Sequence, residues 1–152
     1  MIHIRRAGED DLHDIENVEN ACFDRNRFEG DVIRVLLTDP DFATWVADSK
    51  GRILGYASLM HREGNDFSRL LSIAVLPDDR GQGIGRALLR DVKEFVQRDP
   101  DRKLSLEVRI VNVAAINLYL RSGFRIVGLL KDYYDGGREG PEDALYMVLE
   151  SS

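Results

Sequence analysis

The 152-residue sequence has little of several features that would identify a function class. Its one cysteine, Cys22, excludes a disulfide framework and is typical of a reducing cytoplasm. No apolar run is long enough to span a bilayer, and the first residues resemble neither a signal peptide nor a transit peptide. The histidines His3, His13 and His61 lack the spacing of metal ligands, so we predict no metal site. We therefore expect a cytoplasmic protein without a membrane segment.

Charge and length narrow the possibilities further. The net charge is −6, from 21 basic and 27 acidic residues, and this balance argues against a nucleic-acid binder with a basic face. A hydrophobic content of 43% and a charged content of 32% are typical of soluble globular proteins. The length predicts a single domain over residues 1–152. The sequence leaves open whether this domain is a monomer or a homodimer.

The order of the predicted elements indicates a mixed α/β (α+β) fold. Seven strands are predicted, over residues 2–6, 42–47, 53–61, 69–75, 104–110, 124–130 and 144–149. Helices are predicted over 12–22 and 32–37, after the glycines at 81–85, and after residue 112. Asn112 is expected to cap the last of these helices, and Gly123 is expected to end it. Gly55, inside the third strand, indicates a β-bulge.

Residues 71–89, LSIAVLPDDRGQGIGRALL, carry the most informative pattern. A strand-like run meets a turn spaced by Gly81, Gly83 and Gly85, and an amphipathic helix begins at once. The first N–H groups of a helix have no internal partners, and the helix dipole favours negative charge there. Glycines let a phosphate approach the main chain. The pattern therefore predicts a phosphorylated ligand, although a glycine-rich turn without any ligand would have the same sequence.

Two familiar phosphate-binding loops do not match this turn. A P-loop requires Gly-Lys-Ser/Thr at the start of the helix, whereas here the glycines lead into Arg86 and Ala87. The dinucleotide fingerprint places its third glycine three positions after the second, and here Gly85 comes two after Gly83. Neither a nucleoside triphosphate nor a dinucleotide is therefore the predicted ligand.

The turn does resemble the acetyl-CoA signature of the GCN5-related N-acetyltransferases (GNAT), Arg/Gln-x-x-Gly-x-Gly/Ala, which stands here as Arg80, Gly83 and Gly85. Further motifs resemble the ribosomal-protein-alanine N-acetyltransferase branch: residues 106–109 (LEVR), Asn112, 114–116 (AAI), 118–119 (LY), 123–124 (GF), 133–136 (YYDG) and 142–144 (EDA). The resemblance runs from about residue 71 to the end of the chain. It implies a GNAT-like, mostly antiparallel sheet of about 6–7 strands with a central parallel pair and about four helices.

The same resemblance implies roles for individual residues. Glu107 matches the general base of the branch, Tyr119 its general acid, and Asn112 a contact to coenzyme A. The strand backbone that pairs with the pantetheine arm corresponds to Ile73, Ala74 and Val75, and the diphosphate site to Gly81, Gln82, Gly83, Ile84, Gly85 and Arg86. Arg80, from the acetyl-CoA signature, is also expected to bind the cofactor. Acceptor contacts are expected from Phe28, Tyr133 and Tyr134. The loop with the two tyrosines has the alternative interpretation of a solvated acidic loop.

Elementary chemistry agrees with those roles. A peptide α-amine has a pKa near 8 and a lysine amine one near 10.4, so a base must remove a proton before either attacks a thioester. The departing thiolate resembles that of cysteine, with a pKa near 8.5, and a tyrosine hydroxyl can protonate it. On the strand, Glu107 faces away from Leu106 and Val108, although an ordinary solvent-facing glutamate would do the same. Tyr119 could likewise be a packing residue, and Cys22 is interpreted as a core residue.

The sequence thus predicts an enzyme that moves acetyl from acetyl-CoA to a primary amine. The preferred acceptor is a protein N-terminal α-amine, and the alternatives are a lysine side chain, a small amine, or a non-catalytic module that binds coenzyme A. Two departures from the branch concern the acceptor: residues 24–28 (DRNRF) replace a Pro-Trp-Ser-like stretch, and Asp79 stands where an aromatic residue is frequent. No nucleic acid or membrane partner is expected.

Overall fold

The computed structural model describes residues 1–150 and shows seven strands and four α-helices there. The strands are β1 (His3–Arg6), β2 (Phe42–Ser49), β3 (Arg52–Met60), β4 (Phe67–Val75), β5 (Lys103–Arg109), β6 (Arg125–Tyr134) and β7 (Glu142–Leu149). The helices are α1 (Leu12–Cys22), α2 (Gly30–Thr38), α3 (Ile84–Gln97) and α4 (Val113–Arg121). None of these helices is long and apolar enough to cross a bilayer.

The strands form one sheet in the order β1-β2-β3-β4-β5-β7-β6. Every neighbouring pair is antiparallel except β4 and β5, which are parallel and are joined through α3. This arrangement confirms the predicted fold, including its central parallel pair. Among the boundaries that differ from the prediction, β5 ends at Arg109, and Ile110 is 42% exposed. The prediction of a loop at Tyr133 and Tyr134 was wrong, because β6 continues to Tyr134 by pairing with β7.

Helices cover both faces of the sheet and create two apolar clusters. On one face α3 contributes Ile84, Leu88, Val92 and Val96, a row at every fourth position whose members are at most 3% exposed. On the other face α1 and α2 pack Ile15, Val18 and Ile33 against Val46 and Tyr56 of the sheet. The central strands are therefore buried on both sides, and their backbone positions are fixed by packing as well as by hydrogen bonds.

Two irregularities shape the middle of the sheet. The register of β2 and β3 shifts beside Gly55, as predicted, and a second shift between β3 and β4 leaves Leu71 without a partner. In addition, β4 and β5 pair only at their first residues, Phe67 with Lys103, Ser68 with Leu104 and Arg69 with Ser105. Beyond these pairs the two strands separate, and a cleft opens between their carboxyl-terminal halves.

Candidate active site

The cleft between β4 and β5 has a volume of about 430 Å³. Five parts of the chain line it: α1 and the segment after it, β4, β5, α4 with the turn before it, and the end of β6. The lining residues are Glu19, Cys22, Phe23, Arg25, Asn26, Phe28, Leu70, Leu71, Ser72, Ile73, Leu106, Glu107, Val108, Arg109, Val111, Asn112, Ala115, Tyr119 and Tyr134. The predicted base, the predicted acid and four further predicted site residues (Phe28, Ile73, Asn112 and Tyr134) therefore share one cavity.

Glu107 is held in this cleft by one of its two carboxylate oxygens. Arg69 donates to Oε1 from Nε at 2.7 Å and from Nη2 at 2.6 Å, and the Tyr133 hydroxyl lies 3.3 Å from the same oxygen. Within residues 1–150, Oε2 makes no hydrogen bond. The side chain is only 11% exposed, so Glu107 is not an ordinary solvent-facing glutamate. One oxygen fixes the carboxylate while the other stays available to accept a proton.

The charges around Glu107 also act on Arg69. Burial lowers the pKa of this guanidinium, but the Glu107 carboxylate raises it, and the net change is upward. Arg69 therefore remains a cation and a permanent partner of Glu107. Its Nη2 also lies 3.1 Å from the Tyr133 hydroxyl, which ties β6 to the same pair.

Tyr119 reaches the cleft from α4. As predicted, Asn112 caps this helix, because its Oδ1 accepts a hydrogen bond of 3.2 Å from the Ala115 N–H. Asn112, Ala115 and Tyr119 lie on the helix face that looks into the cavity. The Tyr119 ring is 6% exposed and packs against Phe124 at 5.6 Å. Burial raises its pKa well above the usual value, so the phenol stays protonated at neutral pH.

The glycine turn at the start of α3 has the shape of an anion site. Gly81 and Gly83 adopt φ angles of 85° and 80°, and a side chain at either position would meet no described atom within 4 Å. The first hydrogen bond of the helix joins the Ala87 N–H to the Gly83 carbonyl at 3.0 Å. The N–H groups of Ile84 and Gly85 precede this bond and have no intrahelical partner. These free N–H groups and the helix dipole favour an anion at this turn, and the coenzyme diphosphate stays the predicted ligand there.

Other residues predicted for the cofactor have different surroundings. The Arg80 guanidinium turns back onto the end of β4, where Nε donates to the Val75 carbonyl at 3.1 Å and Nη2 lies 3.6 Å from the Cys22 sulfur. Ala74 and Ile84 are buried, whereas Gln82 and Arg86 are exposed. The side chain of Arg80 thus joins β4 to α1, and its contact with a cofactor stays a prediction.

Sequence reasoning missed Glu19, a buried acid in the cleft. Its carboxylate is 1% exposed and accepts a hydrogen bond from the Tyr56 hydroxyl, one of 2.8 Å from the Phe28 N–H, and one of 3.4 Å from the Ser72 hydroxyl. Within residues 1–150 no cation lies within ion-pair distance of it. One sequence feature could have indicated that Glu19 is buried: it lies four residues after Ile15, on the apolar face of α1.

Comparisons with known proteins agree on one family. Residues 10–124 match the model described as the acetyltransferase (GNAT) family. The chain is 31% identical over 145 residues to a putative [ribosomal protein bS18]-alanine N-acetyltransferase of Bacillus subtilis, which covers 95% of this chain and 92% of the relative. It is 38% identical over 112 residues to a streptothricin acetyltransferase of Streptomyces lavendulae, which covers 73% of this chain and 59% of that protein.

A solved structure shows the same fold. The crystal structure of the ribosomal-protein-S18-alanine N-acetyltransferase from Escherichia coli superimposes with a TM-score of 0.89. The two chains are 28% identical, and the match covers 100% of this chain and 95% of the other.

Proposed function

Since the chain belongs to the acetyltransferase (GNAT) family, we propose that this acetyl-CoA-dependent N-acetyltransferase acetylates the α-amine of a protein N-terminus. In this proposal a single domain of residues 1–152 carries Glu107 as general base and Tyr119 as general acid. One observation carries the assignment: the two side chains, from β5 and α4, line the same cleft between β4 and β5. The similarity over nearly the whole chain to a putative [ribosomal protein bS18]-alanine N-acetyltransferase supports the acceptor.

Glu107 supplies the first proton transfer. An α-amine with a pKa near 8 is mostly protonated at neutral pH and cannot attack a thioester in that form. The free Oε2 accepts the proton, directly or through one water, while Arg69 and Tyr133 keep Oε1 in place. The neutral amine then forms a C–N bond to the acetyl carbon as the C–S bond breaks.

Tyr119 supplies the second proton transfer. Because burial keeps its phenol protonated, the hydroxyl is available as a donor to the departing thiolate of coenzyme A, whose pKa resembles that of cysteine. The phenolate then takes the proton that the new amide nitrogen must lose, and Glu107 releases its proton to solvent. Over one cycle the acetyl group moves from sulfur to nitrogen, and no covalent intermediate on the enzyme is needed. Cys22, whose pKa burial raises, is a poor nucleophile.

Acetyl-CoA provides the activated acetyl group, and the chain would hold it along one edge of the cleft. The backbone of Ile73, Ala74 and Val75 follows the Leu71 bulge and can pair with the pantetheine arm. The turn from Gly81 to Arg86 can receive the diphosphate on its free N–H groups. Asn112 uses Oδ1 to cap α4, which leaves its Nδ2 for the cofactor. Phe28 and Tyr134 line the cleft, and the Tyr133 hydroxyl lies 3.3 Å from Glu107, so these residues would contact the acceptor.

A second acceptor class has specific support. The 38% identity to a streptothricin acetyltransferase favours a small amine as the alternative, over 73% of this chain. A lysine side chain is less favourable than an α-amine, because roughly one part in a thousand of it is neutral near pH 7.

The test compares peptide N-termini with free amines. The purified chain is given acetyl-CoA with peptides that differ in their first residues, N-terminally blocked lysine peptides, polyamines and streptothricin, and release of the coenzyme A thiol is followed. We expect turnover of the peptides, and a loss of about 10²–10³ in kcat for Glu107→Gln and for Tyr119→Phe. Turnover of small amines alone would contradict the acceptor, and undiminished rates in both variants would contradict the roles.

A further inference from the structure

Two loops meet at the end of the cleft that the acceptor would enter. Residues 23–29, between α1 and α2, extend toward residues 135–140, between β6 and β7. Asn26 Nδ2 donates to the Asp135 carbonyl at 3.4 Å, and the Arg25 guanidinium lies beside Gly137. Arg25 and Asn26 also line the cleft that contains Glu107. An acceptor that enters the cleft at this end would pass close to these two loops on its way to Glu107.

Some of the charged side chains that line the cleft have no partner of opposite charge within the described part of the chain. Four charged side chains line the cleft, and two of them have partners of opposite sign: Glu107 with Arg69, and Arg109 with Glu142 at 3.4 Å. Arg25 makes no ion pair and no hydrogen bond with any described residue. The cleft thus has an uncompensated positive charge where it opens, and a buried carboxylate, Glu19, farther in.

We propose that Arg25 selects acceptors that carry an acidic side chain at the second or third residue. The inference rests on the proposed acetylation of a peptide N-terminus. Each extended residue advances the chain by about 3.3 Å, so the side chains just behind the reacting amine pass the loops at the opening. A guanidinium binds a carboxylate through two parallel hydrogen bonds. Because the first residue carries the reacting amine, which is proposed to lie at Glu107, the preference applies to the following positions.

The Arg25 guanidinium can occupy its position because residue 137 is a glycine and has no side chain. A Cβ at residue 137 would lie 2.4 Å from Cζ and 2.6 Å from Nη2 of Arg25, so any side chain there displaces the charge. Gly137 has a φ of 65°, which an alanine tolerates at a modest cost. The variant Gly137→Ala therefore moves the Arg25 charge without removing it, which separates position from charge.

The test uses matched peptides that differ in one carboxylate. Peptides with Asp or Asn at position two, and with Asp or Asn at position three, are compared by kcat/KM at low and at high salt. We expect the native chain to prefer Asp by about three- to tenfold at one of the two positions, with the preference reduced at high salt. Arg25→Ala should bring the ratio to about one, Arg25→Glu should invert it, and Gly137→Ala should weaken it.

Arg27→Ala is the matched control, because Arg27 lies in the same exposed segment but does not line the cleft. It should keep the native ratio. Good turnover of all peptides with no Asp preference, or a preference that survives in Arg25→Ala, would overturn the inference while leaving the acetylation of N-termini intact. Turnover of small amines with no turnover of any peptide would instead contradict the proposed function itself.

Discussion

Replacing Gly55 by alanine should reduce both the stability of the chain and its use of acetyl-CoA. A Cβ at this position would lie 2.7 Å from the Ala74 carbonyl oxygen and 3.3 Å from Cα of Val75. These are backbone atoms of β4, which pairs with β3 in the middle of the sheet and cannot move aside as a surface side chain does. Overpacking of this kind costs about 1–3 kcal/mol. For a domain of this size, 2 kcal/mol corresponds to a fall in Tm of about 4–8 °C.

The functional effect of Gly55→Ala comes from the same contact. Because the Ala74–Val75 backbone is proposed to hold the pantetheine arm, its displacement should raise KM for acetyl-CoA several-fold. Thermal melts and initial rates measure the two effects separately. Gly128→Ala is the matched control, since Gly128 also lies in a strand and a Cβ there meets no described atom within 4 Å. A Tm within about 1 °C of the native value would refute the packing argument, and a lowered Tm with an unchanged KM would refute the cofactor position.

Three further predictions concern single groups. Because burial raises the pKa of Tyr119, its hydroxyl should stay protonated between about pH 7 and 10, and its ionisation should not lower kcat/KM in that range. A fall in kcat/KM in that range that disappears in Tyr119→Phe would contradict this. Gly85→Ala should raise Tm, because alanine stabilises a helix by about 0.5–1 kcal/mol and the new Cβ would be 3.6 Å from its nearest neighbour; a lower Tm would mean a tighter contact. Arg5 lowers the pKa of Asp11, so the stability that this carboxylate adds is present above its unfolded pKa and is lost as the pH falls. Asp11→Asn should therefore lower Tm more at pH 7 than in melts near pH 3, and an equal difference at both pH values would argue against the ion pair.

Features decided by neighbouring residues were predictable from the sequence. The cap by Asn112 is a hydrogen bond to the backbone N–H three residues later, so it depends only on nearby residues. Gly123 has the predicted left-handed conformation, with a φ of 100°, at the end of the same helix. The alternation of apolar and polar residues in β5 also placed Glu107 on the correct face. The position of the central parallel pair followed from the strand–helix–strand order, because such connections join parallel strands.

Features decided by distant residues were not predictable in the same way. Glu19 is buried because it meets Tyr56, which is 37 residues away, and no local pattern states that pairing. The extra residue Leu71 and the early separation of β4 from β5 depend on how three strands pack together. In the sequence, Arg25 was notable only as part of a stretch that departs from the family pattern. The position of its guanidinium depends on Gly137, more than a hundred residues later in the chain.

Because β4 and β5 separate early, binding of the cofactor would affect the folding stability of the protein. Where two central strands part after three pairs, the sheet has a gap that a bound pantetheine arm can bridge as a substitute strand. A ligand that binds only the folded chain adds about 2.7 kcal/mol to its stability at a concentration a hundred times its Kd. A chain with acetyl-CoA bound would then unfold, and be open to proteolysis, less often than the same chain without it.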